Sequence, residues 1–259
     1  MNNIFNGTRF FRLLKKHSQE QYKTYLLSLV VLAGVLFLII GLATWADYGR
    51  LSVSAQSFFF LIFLLFSGIA FTSIIFSDLG DQRKAAIAMT LPVSNFEKFL
   101  VGWIYSYVVF LLFYTATFLA IVYVVIDIAN SSSKIPNEVI SITGSKFEFF
   151  KMYLTFSVFH GVALVSALIF KKLHIIKTAF VLFVFVFILI LLNQKMLHSI
   201  SGGKTLFQFP FSGLRIQEGK GVFQIENDFL TYTIASCTAI GVSLLLWGAA
   251  FFKLKEKQL

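Results

Sequence analysis

Few side chains in this 259-residue chain are equipped for chemistry, and their spacing narrows the choice further. His17, His160, His174 and His198 fall on separate flanks and apolar stretches, with no His-x-x-x-His and no cysteine pair. The spacing therefore predicts no metal site. Cys237, the single cysteine, lies in an apolar run and reads as a small hydrophobe without a disulfide partner. No His-Glu-x-x-His and no pair of in-span aspartates points to proteolysis within a membrane, and nothing nominates a Ser/His/Asp triad. Gly203-Lys204-Thr205 imitates the end of a phosphate-binding loop, but His198 stands where its first glycine belongs. Such a loop also needs a flanking strand and helix, which the surrounding pattern lacks. The expectation is a chain that is not itself an enzyme and holds no cofactor.

His160 is the most notable ionisable group inside an apolar stretch, and such groups are functional suspects by default. A neutral imidazole hydrogen-bonded to a neighbouring helix is the structural alternative, and substrate contact is the functional one. The 12 Asp and Glu residues all fall in flanks or loops, which argues against a proton-coupled carrier.

The elements that must position these residues are six apolar stretches, near 26–45, 57–76, 99–126, 152–170, 176–192 and 229–252. About 20 apolar residues at 1.5 Å rise cross a hydrocarbon core of about 30 Å. With 58% hydrophobic and 13% charged residues, the chain reads as one all-α, polytopic membrane domain over residues 1–259. The net charge of +10 falls in short flanks of the spans, where anionic lipid headgroups and insertion topology account for it. Nucleic acid is not an expected partner.

Basic density is highest on the face shared by both termini. Arg9, Arg12, Lys15, Lys16 and Lys23 lie there, as do Arg83, Lys84 and Lys98, then Lys171, Lys172 and Lys177, then Lys253, Lys255 and Lys257. The positive-inside rule makes that face cytoplasmic, with both ends inside. Before span one, Phe10, Phe11, Leu13 and Leu14 interleave with bases and His17. This pattern suits an amphipathic helix in the headgroup layer, or a plain basic topology flank. In the last outer loop, 207–211 and 222–225 alternate apolar and polar residues, as short paired strands or membrane-lying segments would.

The cytoplasmic segment 78–98 is the most structured loop. Arg83–Met89 has good helix formers, and Pro92 should end or redirect that helix. Ser94 then stands three residues before Glu97, the spacing of a capping box. A short helix thus turns at Leu91-Pro92-Val93, and a capped helix restarts and runs directly into span three. Force on the turn would pass along that stiff helix.

The run Leu91-Pro92-Val93-Ser94-Asn95-Phe96-Glu97-Lys98-Phe99-Leu100-Val101-Gly102, after two spans and a basic, Ala-rich helix, resembles the permease subunits of ABC type-2 exporters. The specific likeness covers about residues 70–105. It implies six spans, an amphipathic N-terminal helix, and a coupling loop built from Arg83, Lys84, Leu91, Pro92, Ser94, Phe96, Glu97 and Lys98. Phe96 would be its apolar knob, and Arg83, Lys84, Glu97 and Lys98 its rim charges. The implied partners are a cytosolic ABC ATPase subunit, a second permease copy or a related permease, and the lipids of a cytoplasmic membrane, bacterial by analogy. Many members have a longer first outer loop than the roughly 11 residues between spans one and two here. The rival reading is a non-transporting six-span sensor, immunity or assembly factor derived from a permease.

Overall fold

The structure, a computed structural model, describes residues 5–80, 94–132, 136–141, 148–170, 174–202, 214–218, 221–225 and 229–256. The fold is all-α and polytopic: among the described residues, 6 helical segments are long and apolar enough to cross a membrane. Helix α1 runs Gly7–Ala46 and α2 Val53–Gly80. Span three consists of α3 (Asn95–Trp103), a π-helical segment (Ile104–Val109) and α4 (Phe110–Ser132). Helices α5 (Glu148–Ile169), α6 (His174–Ser201) and α7 (Phe229–Glu256) complete the bundle.

Helix α1 corrects one expectation. The basic, Phe/Leu-rich segment is not a separate helix; it is the first half of the helix that carries span one. Residues 17–25 contain neither Pro nor Gly, so nothing interrupts the hydrogen-bond ladder. The 40-residue helix starts at Asn6, whose side chain accepts from the N–H groups of Thr8 (3.0 Å) and Arg9 (3.3 Å). It stops where Tyr48 and Gly49 take left-handed conformations, with φ of 52° and 80°. At 1.5 Å per residue α1 is about 60 Å long, twice a hydrocarbon core.

Span five also outruns its apolar stretch. Residues 193–201 are polar enough to leave the hydrocarbon, yet they lack Gly and Pro, so α6 continues to Ser201 and stops before Gly202 (φ 61°). The hairpin expected in the last outer loop exists with a different first strand. Leu214–Glu218 (β1) pairs antiparallel with Gly221–Ile225 (β2), Leu214 opposite Ile225. Residues 207–211 lie outside the described residues.

Packing is most extensive between α5 and α7 and between α5 and α2, while α1 lies along α4. Asn6 beside Glu97 and Phe96 beside Phe251 put both chain ends at one end of the bundle, the terminal end. Phe60, Tyr114, Phe118 and Phe156 fill the core toward the far end, and Phe76, Phe99, Leu164 and Leu254 fill it at the terminal end.

Three helix crossings need glycine. A Cβ on Gly161 would stand 2.8 Å from Leu246 Cβ and one on Gly102 2.8 Å from the Phe76 ring, and one on Gly68 would meet the Phe156 ring. At the far end, Gln56 is fully buried in the first turn of α2. Its Nε2 donates to the carbonyls of Leu51 (3.1 Å) and Glu138 (2.8 Å), and its Oε1 accepts from Ile140 N–H (2.8 Å). Asn137 accepts from Leu51 N–H (2.8 Å) and donates to the Gly49 carbonyl (2.9 Å). Thus the chain after α4 is stitched to the α1–α2 turn by neutral amides.

Candidate functional site

The coupling segment enters the described residues at Ser94. The capping box forms as its spacing predicts. Ser94 Oγ accepts from Glu97 N–H at 3.2 Å, and Glu97 Oε2 accepts from Ser94 N–H at 2.9 Å. Arg83, Lys84, Leu91 and Pro92, and the helix expected over 83–89, lie outside the described residues.

Glu97 was expected as a rim charge. Instead it is fully buried and does a second job. Its other oxygen accepts from Asn6 N–H at 2.7 Å and meets the Arg9 guanidinium at 3.4 Å. One carboxylate therefore caps α3 and ties down the start of α1, 91 residues away in sequence. The tie is natural, because two helix N-termini that meet present unsatisfied N–H groups and positive dipole ends to the same anion. Capping spacing finds the first role in the sequence; the second needs the tertiary fold.

Phe96 is half-exposed at 46% and packs its ring edge-on against Phe5 (6.1 Å between centroids) and Phe251 (5.9 Å). Phe99, one turn on, packs on the same Phe251 at 5.6 Å. Phe96 and Phe99 thus join the starts of α1 and span three to the end of α7. Lys98 is partly buried on α3.

A second cluster pins α1 lower down. Ser18 Oγ shares a hydrogen bond with Tyr105 OH, which also donates to the Leu14 carbonyl at 3.4 Å. His17 Nε2 bonds Tyr25 OH at 2.7 Å, and its ring lies 4.6 Å from that of Tyr105. Tyr105 belongs to the π-helical segment, an irregularity that the sequence did not reveal.

His160 sits fully buried one layer deeper. Trp247 Nε1–H donates to its Nδ1 at 3.1 Å, and its Nε2 bonds Ser106 Oγ at 3.0 Å. An indole nitrogen only donates, so Nδ1 must be the acceptor and Nε2 carries the proton of a neutral ring. Both nitrogens are spent on neighbouring helices, while Tyr107 (5.1 Å) and Phe156 (5.7 Å) flank the ring. The structural alternative for His160 describes this geometry: it bonds α5 to α7 and to the π-helical segment.

No family model, curated protein or solved structure matches this chain.

Proposed function

We propose that this chain is the membrane subunit of an ATP-driven export system, with the fuel burned by a separate cytosolic ATPase. The observation that carries the reading is the Glu97 knot. A capped helix begins at Ser94 and enters span three without a break, and the same carboxylate holds the start of α1. Movement at Ser94 would be delivered to spans one and three together. Phe96, half-exposed beside Phe5 and Phe251, offers a partner an apolar contact at that point. The bases of the terminal end orient it to the cytoplasm, and the sequence supplies no nucleotide-binding loop of its own. In this mechanism two copies, or this chain and a related permease, enclose the route, and closure of two docked ATPases tilts the spans.

Co-purification with an ATPase encoded beside this chain tests the proposal. Phe96→Asp should abolish association and transport, while Phe223→Asp on the exposed strand β2 leaves both intact. Undiminished association and transport in Phe96→Asp would remove the docking point. Stable folding with no associated ATPase in the unaltered chain would favour the non-transporting reading.

A further inference from the structure

Span three carries one residue more than a regular α-helix of its length would hold. Ile104 N–H donates to the carbonyls of Leu100 and Val101, at ordinary helical spacing. Phe110 N–H instead reaches back to Tyr105, five residues away, and to Tyr107. The extra residue is stored in the wide turn Ile104–Val109. Three successive side chains hold it there. Tyr105 OH bonds α1 at Ser18 and at the Leu14 carbonyl, Ser106 Oγ bonds His160 Nε2 at 3.0 Å, and Tyr107 OH bonds Ser157 Oγ at 2.6 Å. Residues 105 and 106 are thus gripped by different helices, α1 and α5.

A stored residue advances everything before it by one place. If the turn tightened to α spacing, α3 would draw back about 1.5 Å and rotate by roughly 100°. Each place along it would then pass to the next residue. Lys98 would take the place of Glu97, beside Asn6 N–H and the Arg9 guanidinium. An anion that ties down the positive end of α1 would be exchanged for a cation that repels it. Glu97 would take the half-exposed place of Phe96, where water solvates a carboxylate. Its cap on Ser94, a contact within three residues, would be kept. Trp103 would take the place of Gly102, where even an added Cβ would stand 2.8 Å from the Phe76 ring, so α2 would have to stand off. The present register carries a cost of its own. The Trp103 indole nitrogen is buried and finds no acceptor among the described residues, and Ile104 in its place has no side-chain donor to satisfy.

We propose that the π-helical segment is a latch on span three, with Ser106 and Tyr107 as its positioning residues and His160 and Ser157 as the catch. Closed, it presents Glu97 to α1. Released, it presents Lys98, so a turn of α3 by one residue frees α1 and parts α2 from span three. Helix register shifts of this kind run in microseconds to milliseconds. The latch is a property of this chain alone. Under the export reading, the load arriving at Ser94 is what turns α3.

Crosslinking of the full chain in nanodiscs, without any ATPase, tests the latch. In a Cys237→Ala background, Phe251→Cys should crosslink to Phe99→Cys through a short bismaleimide and not to Leu100→Cys, since rings 251 and 99 lie 5.6 Å apart. Deleting Val108, whose side chain is 38% exposed, should leave that pattern unchanged, because the stored residue is given up. A shift to Lys98→Cys would mean that no residue is stored and would overturn the latch. Ser106→Ala/Tyr107→Phe should open a second crosslink, at Leu100→Cys. Adding Glu97→Lys/Lys98→Glu should make that product dominant, since the acid then meets Arg9 only in the turned register. Deleting Val108 in either variant should abolish the Leu100→Cys product and keep the one at Phe99→Cys. A lowered Tm with crosslinking at Phe99→Cys alone would reduce Ser106 and Tyr107 to ordinary packing bonds and end the proposal. If the charge-exchanged chain does not fold, Ser106→Ala/Tyr107→Phe decides by itself. Failure to bind an ATPase would remove the load and leave these crosslinks as they are.

Discussion

Span one is joined to its neighbours at both ends, by opposite chemistries. At the terminal end a buried carboxylate collects the N–H groups of Asn6 and Ser94 and the guanidinium of Arg9. At the far end the carboxamides of Gln56 and Asn137 bind backbone groups of residues 49–51 and 138–140, with no formal charge. A neutral amide both donates and accepts, so it can replace a missing strand partner on each side and fix a loop. A carboxylate only accepts, and it draws donors from separate elements to one point. The first suits a static lid; the second suits a joint, whose parts separate when a competing donor or a mechanical load arrives. Under the proposed export reading, the load would arrive at the terminal end.

The largest effect should come from emptying the joint. Glu97→Ala leaves the N–H groups of Ser94 and Asn6 without their acceptor, about 1 to 2 kcal/mol each. A total loss near 3 kcal/mol should appear as a lowered Tm in detergent micelles, followed by tryptophan fluorescence. Gln56→Leu, which strands Ile140 N–H and two carbonyls, should cost about 2 kcal/mol. The comparison sharpens if Glu97→Ala also uncouples an associated ATPase and Gln56→Leu only destabilises. It breaks if Gln56→Leu uncouples as well.

Gly161→Ala separates packing from both joints. Leu246 Cβ, 2.8 Å from the added methyl, moves only with its backbone, so α5 and α7 must part. Overpacking of this kind costs about 1 to 2 kcal/mol. Because His160 Nδ1 is held by Trp247 on the same α7, the shift should also change the Trp247 emission. An unchanged Tm and spectrum would place α7 farther from α5 than this packing allows.

Much of this was legible in the sequence, for identifiable reasons. Spans are read from length and apolarity, both local quantities, and the 94–97 box is a contact over three residues. The extension of α6 through 193–201 was missed because hydropathy marks the end of hydrocarbon, whereas a helix ends where Gly or Pro stops it. The continuity of α1 was missed for the same reason: a change of polarity after Lys23 was read as a change of element. Glu97 was half legible, its cap by spacing and its burial only through Asn6. Gln56 and Asn137 carried no signal, since lone amides in polar surroundings are ordinary loop residues until the fold supplies their partners. The π-helical segment within Ile104–Val109 follows a run of residues that suits an α-helix equally well.

The smallest effect should be the most diagnostic of the two chemistries. Arg9→Gln removes a cation whose side chain is 34% exposed and 3.4 Å from Glu97, while the carboxylate keeps its two backbone donors. Solvent screens such a pair, so the cost should be about 1 kcal/mol or less at low ionic strength. With a screening length of about 10 Å at 0.1 M salt and 3 Å at 1 M, the penalty should shrink as salt rises. Asn137→Ala at the far end loses uncharged hydrogen bonds, and its penalty should hold steady over the same range. Tm measured for both variants against the parent, across a salt series, reads the contrast directly. Parallel salt responses would mean that Arg9 contributes packing and not charge, and the terminal joint would then differ from the far one only in the carboxylate.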